Sequence, residues 1–320
     1  MHKVVITDSG FDSADVEEAI LRPLGCEIAI GKFHSRDELI ALVADAEYIL
    51  TVWAPLDAGV IAAMKKARII VRYGIGVDQI DLEAAAARGI PVCNCPDYCI
   101  DEVADHTLAF MLALTRQTNP SWEAIRHGEW KMAVPLDQMH ALRDMTVGLA
   151  GFGRIGREVA ARLRSFKCRV CVFDPVVEAG VIEQAGCRPV GWNELLSASD
   201  LLSLHCPSTA KTRGMIDRAA LAQMKKGALF VNVSRGTLVK TEDLVAALKD
   251  GRLAGAALDV TDPEPIPKDS PLLAMKNVII TPHVASASVN AARRLRTSVA
   301  TTAACAVRRE KVPNVVNGVV

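Results

Sequence analysis

Two groups of residues in this chain have the types and spacing that chemistry requires. The first is Gly151-Phe152-Gly153-Arg154-Ile155-Gly156, set between the β-branched run 147–150 and the helical run 157–165. In such a strand-turn-helix the first glycine permits the tight turn and the second lets backbone approach a pyrophosphate. The third lets helix and strand pack closely, while the helix N-terminus supplies N–H groups and positive dipole. A bare motif of this kind also fits a plain glycine-rich turn, so the context carries the weight. The following strand, 169–173, runs into Asp174, close to the ~20-residue spacing at which an acid accepts hydrogen bonds from ribose hydroxyls and repels a 2′-phosphate. Pro175, Val176 and Val177 add no cation to hold such a phosphate. The expected ligand is a dinucleotide, NAD in preference to NADP.

The second group consists of charged residues at strand ends. Of seven histidines, only His205 and His283 fall there, and in doubly wound folds ligands sit at the carboxyl ends of strands. His205 precedes Cys206-Pro207, where the chain must turn, and reads as backbone and a packed ring beside the cofactor. His283 lies in Thr281-Pro282-His283-Val284-Ala285-Ser286, where a rigid proline and small neighbours leave the imidazole open to a substrate. Arg235 and Glu264 stand at other strand ends of the same series. Cys93, Cys95 and Cys99, with His106 beyond, form the one cluster with any likeness to a metal site. Zinc motifs pair their cysteines with a second such pair, and none is present, so buried thiols are expected and no metal.

The elements that must position these residues follow from the pattern. Short β-branched runs alternate with helical ones throughout, the mark of parallel sheets covered on both faces, so the fold class is α/β. A first series of strands is expected at 3–6, 26–30, 48–52, 68–71 and 90–93. Helices start at the capping box of Ser35 with Glu38 and at Asp81. A second series, 146–150, 169–173, 187–190, 200–204, 229–233, 254–258 and 278–280, makes a complete doubly wound sheet. Between them 102–117 is long, apolar and free of Gly and Pro, suited to a rigid connecting helix or a subunit interface. A last helix, 288–309, is expected to return to the first domain and make it discontinuous. The expected organisation is a substrate-binding domain of 1–100 plus 288–320 and an NAD-binding domain of 101–287.

Composition narrows the function. With 37 basic and 37 acidic residues the formal net charge is zero, and no run of like charge suggests nucleic acid or an anionic membrane as partner. No apolar stretch approaches the ~20 residues of a membrane span. The N-terminus runs directly into a strand with no export signal in view. Nine cysteines, an odd number, read as reduced thiols. The cytoplasm is the expected compartment.

The ordered set of Gly151 to Gly156, Asp174, Val231-Asn232-Val233-Ser234-Arg235-Gly236, Ala256-Ala257-Leu258-Asp259-Val260, Asp262-Pro263-Glu264-Pro265 and Thr281-Pro282-His283 resembles the NAD-dependent D-2-hydroxyacid dehydrogenase family. The likeness extends to Val71-Arg72-Tyr73-Gly74-Ile75-Gly76-Val77-Asp78, similar to the family's substrate-carboxylate loop, and to Ala104-Asp105-His106-Thr107, similar to the start of its interdomain helix. Asn94-Cys95-Pro96-Asp97-Tyr98 leans toward the branch of the phosphoglycerate dehydrogenase-like enzymes and the C-terminal binding proteins of transcriptional repression.

The resemblance implies two Rossmann-like or flavodoxin-like parallel-sheet domains with a cleft between them, and interconversion of a small D-2-hydroxy acid and its 2-keto acid. His283 would be the acid and base, Glu264 would orient it, and Arg235 would bind the substrate carboxylate. Arg72, Tyr73 and the backbone at Ile75 and Gly76 would complete substrate binding, although Arg72 reads equally as a side chain snorkelling from its strand. The cofactor would be held by Gly151, Gly153, Arg154, Ile155, Gly156, Asp174, His205, Cys206, Pro207, Thr212, Val233, Ser234, Asp259, His283 and Ser286, with Asp259 on the nicotinamide carboxamide. A homodimer is implied, its interface on 102–117 and the segment to 145.

Where C-terminal binding proteins carry a tryptophan three residues after the histidine, this chain has Ser286, and it has Glu264 where a formate dehydrogenase would have glutamine. It also stops at Val320 without the regulatory domain that some phosphoglycerate dehydrogenases append. The alternative is an NAD(H)-sensing interaction protein of the C-terminal binding protein type.

Overall fold

The computed structural model describes residues 1–319. Along the chain come β1 (His2–Ile6), α1 (Asp15–Leu21), β2 (Cys26–Ile30), α2 (Arg36–Val43), β3 (Tyr48–Thr51), α3 (Ala58–Ala63), β4 (Ile69–Arg72), α4 (Leu82–Ala87) and β5 (Val92–Cys93). Then follow α5 (Ile100–Arg116), α6 (Thr118–Arg126), β6 (Thr146–Ala150), α7 (Arg154–Leu163), β7 (Arg169–Phe173), α8 (Ala179–Gln184), β8 (Arg188–Pro189), α9 (Trp192–Ala198) and β9 (Leu201–Leu204). The series closes with α10 (Arg218–Gln223), β10 (Ala228–Asn232), α11 (Thr241–Lys249), β11 (Leu253–Leu258), β12 (Val278–Ile280) and α12 (Val289–Val307). These divide into two units, Met1–Cys99 with the stretch from Ser288 onward, and Ile100–Ala287.

The first unit carries a five-stranded sheet in the order β2-β1-β3-β4-β5, parallel throughout. Successive side chains of a strand point to opposite faces, and both faces here are apolar. Val4, Ile6, Tyr48, Leu50, Ile69 and Val71 meet Leu295, Val299 and Ala303 of α12 on one side. Val5, Ile49, Ile70 and Val92 meet α2, α3 and α4 on the other. Each fully buried aliphatic side chain contributes roughly 1.5–3 kcal/mol, which is why α12 stays with this unit despite its distance in sequence. Ser35, Asp57, Asp81 and Ser288 cap α2, α3, α4 and α12 by accepting the N–H three residues on.

The second unit carries seven parallel strands in the order β12-β11-β10-β9-β6-β7-β8. The order reverses at β6 and β9, and a doubly wound sheet binds its ligand beyond the strand ends at that switch point. The Gly151 turn follows β6 and His205 follows β9.

The expected elements form, with shifted ends. The strands expected at 90–93 and 187–190 shrink to two residues each at sheet edges, Val92–Cys93 and Arg188–Pro189. The helix expected to start at Arg157 starts at Arg154. The third glycine of the turn therefore lies inside its first turn. The long apolar helix spans Ile100–Arg116 and breaks at Gln117, whose φ is 54°, so α6 forms a separate helix that the sequence pattern did not announce.

Candidate active site

The glycine-rich turn has the geometry its residue types require. Gly151 has φ 104°, and a Cβ there would lie 2.7 Å from the His205 carbonyl; a Cβ on Gly156 would lie 2.4 Å from the Gly151 oxygen. Both positions exclude a side chain because backbone packs against them. Gly153 is different: open space surrounds its missing Cβ, it caps α7 with extended backbone, and no side chain caps that helix end. An uncapped helix N-terminus behind an open glycine suits a pyrophosphate, so the residues fit a dinucleotide. Asp174 Oδ2 accepts the Phe152 N–H at 2.7 Å and Oδ1 accepts those of Val176 and Val177. The acid is fixed beside the turn, with Arg154 and Ile155 in the first turn of α7.

Across the switch point, His205 bonds Ser203 Oγ through Nε2 at 2.9 Å, while its Nδ1 is shut off from solvent without a partner. Burial lowers the ring's pKa to about 4, so the imidazole is neutral at neutral pH. Beside it burial pushes the Cys206 thiol up to about 11. The Cys206 carbonyl accepts the Ser234 hydroxyl and the Pro207 carbonyl accepts that of Thr212. These bonds tie the turn after β9 to its own loop and to the end of β10. Val233 is buried beside Ser234.

Arg235 follows β10. Asn232 shapes its turn, accepting the Ser234 N–H and donating to the Arg235 carbonyl. Sequence reasoning passed over Asn232; a buried amide at a strand end is the signal that would have found it. A Cβ on Gly236 would lie 1.9 Å from the Thr261 carbonyl oxygen, so the loop after β10 lies directly against the loop after β11 that carries Glu264. Glu264 Oε1 is 2.7 Å from His283 Nδ1, with both side chains nearly half exposed, at 44% and 45%. An ionised carboxylate only accepts. Nδ1 therefore holds a proton toward Glu264, and Nε2 is the nitrogen left to exchange one. His283 itself has φ 54°, a left-handed conformation that costs a non-glycine residue roughly 1–3 kcal/mol and persists where the surroundings impose it.

Asp259, expected on the cofactor, is only 2% exposed. Its carboxylate accepts the Thr281 hydroxyl and the N–H groups of Val284 and Ala285. It is turned into the histidine loop, which Ser286 continues.

The remaining expected residues lie in the first unit, at the carboxyl end of β4. Arg72 ends that strand and lies back over Gly74, where a Cβ would meet its guanidinium. Tyr73 departs from expectation. Its ring is buried and its hydroxyl donates to Glu17 Oε1 at 3.0 Å, and burial beside that carboxylate drives its pKa well above an ordinary phenol. An apolar ring next to a core position is drawn inward, so only its backbone faces the loop. Gly74 accepts the Cys95 N–H, and Asn94 Nδ2 donates to the Ile75 carbonyl, which fixes the backbone of Ile75 and Gly76. Cys93, Cys95 and Cys99 are buried and form no disulfide, and among the described residues no group of His, Cys, Asp and Glu is arranged for a metal.

Comparison with known proteins matches residues 108–285 to the model of the D-isomer specific 2-hydroxyacid dehydrogenase, NAD binding domain. The chain is 37% identical to a glyoxylate reductase of Korarchaeum cryptofilum over 92% of its length and 87% of that protein's. It is 39% identical to a D-3-phosphoglycerate dehydrogenase of Archaeoglobus fulgidus over 85% of its own length, but spans only 52% of that relative. Among solved structures, a glyoxylate reductase from Paecilomyes thermophila superimposes with a TM-score of 0.90 at 28% identity, covering 98% of each chain.

Proposed function

The chain belongs to the D-isomer specific 2-hydroxyacid dehydrogenase family, and from that premise we propose that it interconverts a small D-2-hydroxy acid and its 2-keto acid with NAD. The observation that carries this reading is the His283–Glu264 pair at 2.7 Å. In the reducing direction His283 Nε2 gives a proton to the carbonyl oxygen, and in the oxidising direction it takes one from the hydroxyl. Glu264 holds the ring in orientation and favours the imidazolium. Arg235 pairs with the substrate carboxylate, a task suited to a planar and permanently charged fork. The backbone N–H groups around Ile75 and Gly76, and Arg72 at the head of that loop, are assigned to substrate binding in the first unit.

When bound, the nicotinamide supplies or accepts the hydride. On the protein side, the α7 N-terminus behind Gly153 would hold the pyrophosphate and Asp174 would hold the adenosine ribose, which favours NAD over NADP. The segment from Pro207 to Thr212, with Val233, Ser234, His205 and Cys206, would hold the nicotinamide half. The names of the relatives favour an enzyme over an NAD(H)-sensing interaction protein.

The reading includes a homodimer. Trp122, Trp130, Met132 and Leu136 are exposed, Trp130 by 92%, and a cluster of large exposed apolar groups marks an interface. It also includes a cytoplasmic location, in keeping with nine cysteines that form no disulfide. Among the described residues no helix is long and apolar enough to cross a membrane.

Steady-state NADH consumption with a panel of 2-keto acids tests the function. Turnover that vanishes in His283→Ala supports it. Tight NADH binding without turnover on any member refutes it.

A further inference from the structure

We propose that His106 is a positioning residue for the acid/base histidine, acting through Thr281 and Asp259 to hold the His283 loop in its left-handed shape. The inference rests on the reading of His283 given above and extends it to a helix that touches no reactant in that reading.

The loop is gripped chiefly by one residue. The Asp259 carbonyl accepts the His283 N–H at 2.9 Å, sharing it with the Thr281 carbonyl at 3.0 Å. The Asp259 carboxylate accepts the next two, Val284 at Oδ1 (2.9 Å) and Ala285 at Oδ2 (2.8 Å). Three successive N–H groups are thus held by the backbone and side chain of a single aspartate, and the conformation they define includes the positive φ of His283. The aim of the imidazole depends on where that carboxylate points.

The carboxylate is in turn fixed from α5. Thr281 Oγ1 donates to Asp259 Oδ1, which uses its only proton, so its second partner must be a donor. That partner is His106 Nε2 at 3.1 Å. The direction of every bond in the line follows: Nε2–H to Thr281 Oγ1, and Oγ1–H to Asp259 Oδ1. His106 Nε2 also lies 3.9 Å from the carboxylate oxygen itself. The ring is held in place by edge-on contact with Phe110, one turn on in α5, at 4.4 Å between centroids. A histidine placed to donate to a threonine that is already donating to a buried acid has a task beyond filling space.

The test compares the full-length holoenzyme with His106→Leu, Thr281→Val and their conservative counterparts His106→Gln and Thr281→Ser. A misaimed catalytic group costs roughly 10- to 100-fold in rate, and Leu and Val should lower kcat at saturating NADH by that amount. Ser and Gln should restore most of the loss, and the double variant should be no slower than the worse single one, since both cut the same line. Unchanged kcat, additive losses, or losses that follow melting temperature and are equal for Val and Ser would each overturn the proposal. If the unaltered protein binds NADH but turns over no 2-keto acid, the functional reading fails by itself. The proposal is then decided by histidine-ring NMR of the NADH-loaded protein. His283 signals that move in Thr281→Val and return in Thr281→Ser support it, and signals that do not move overturn it.

Discussion

His283 is a proton-exchanging group on a strained backbone, and its two supports act on different atoms. Glu264 holds Nδ1, whereas Asp259 holds the backbone. Replacing His283 by alanine should lower kcat about 10²- to 10⁴-fold at saturating NADH, as measured by steady-state rates beside a binding titration that sets the saturating concentration. Glu264→Gln, which keeps the shape but removes the charge that favours the imidazolium, should lower kcat less. His205 gives a separate, pH-dependent outcome. Its pKa is lowered to about 4 in the folded protein against an unfolded value of about 6.5, so between those limits the unfolded chain takes up a proton that the folded one refuses. Stability therefore falls as pH drops through this window. The decline in melting temperature from pH 6.5 to 4 should be shallower in His205→Asn, and an equal decline would mean another group titrates. The places of His283, Glu264 and Arg235 in the loops after β12, β11 and β10 were legible because each stands in a short motif that follows a strand. The inward turns of Tyr73 and Asp259 were not, because side-chain direction at a strand end is decided by packing rather than by local spacing. The His106–Thr281 bond joins residues 175 apart in sequence, and no local pattern announces it.

At the level of elements, the site depends on close approaches that only glycine permits. A methyl group on Gly236 would lie 1.9 Å from backbone of the neighbouring loop, and neither chain segment is a flexible side-chain end that could move aside. Gly236→Ala should therefore displace the Arg235 turn and lower both the melting temperature and the affinity for the keto acid. A variant with wild-type KM would show that the loops separate without consequence. The helix caps are a contrasting case. Asp81 accepts the Ala84 N–H at 2.9 Å and has no assigned part in the reaction, so Asp81→Ala should cost about 1 kcal/mol of stability and leave kcat intact. Strand and helix types followed from periodicity because both sheets are buried on two faces and read as apolar runs. Their ends followed less well. Edge strands β5 and β8 are shorter than their apolar runs, and the break at Gln117 comes from a left-handed residue that any short polar run would equally allow.

For the molecule as a whole, the alternation of strands and helices indicated two parallel sheets and a last helix packing back on the first. The division into Met1–Cys99 with the stretch from Ser288, and Ile100–Ala287, reflects where the apolar faces of the sheets are covered. What the pattern did not give is α6, which leaves Trp122 in solvent. If these surfaces meet in a homodimer, Trp122→Asp combined with Trp130→Asp should shift the mass measured by light scattering from dimer toward monomer, and an unchanged mass would place the interface elsewhere. The most direct test of the central claim is the initial rate of NADH oxidation across a panel of small 2-keto acids, run on the unaltered protein and His283→Ala side by side. The expected result is turnover of at least one acid, reduced by ~100-fold or more in the variant at saturating NADH. Equal rates in the two proteins, or tight NADH binding with no turnover of any acid, would contradict it.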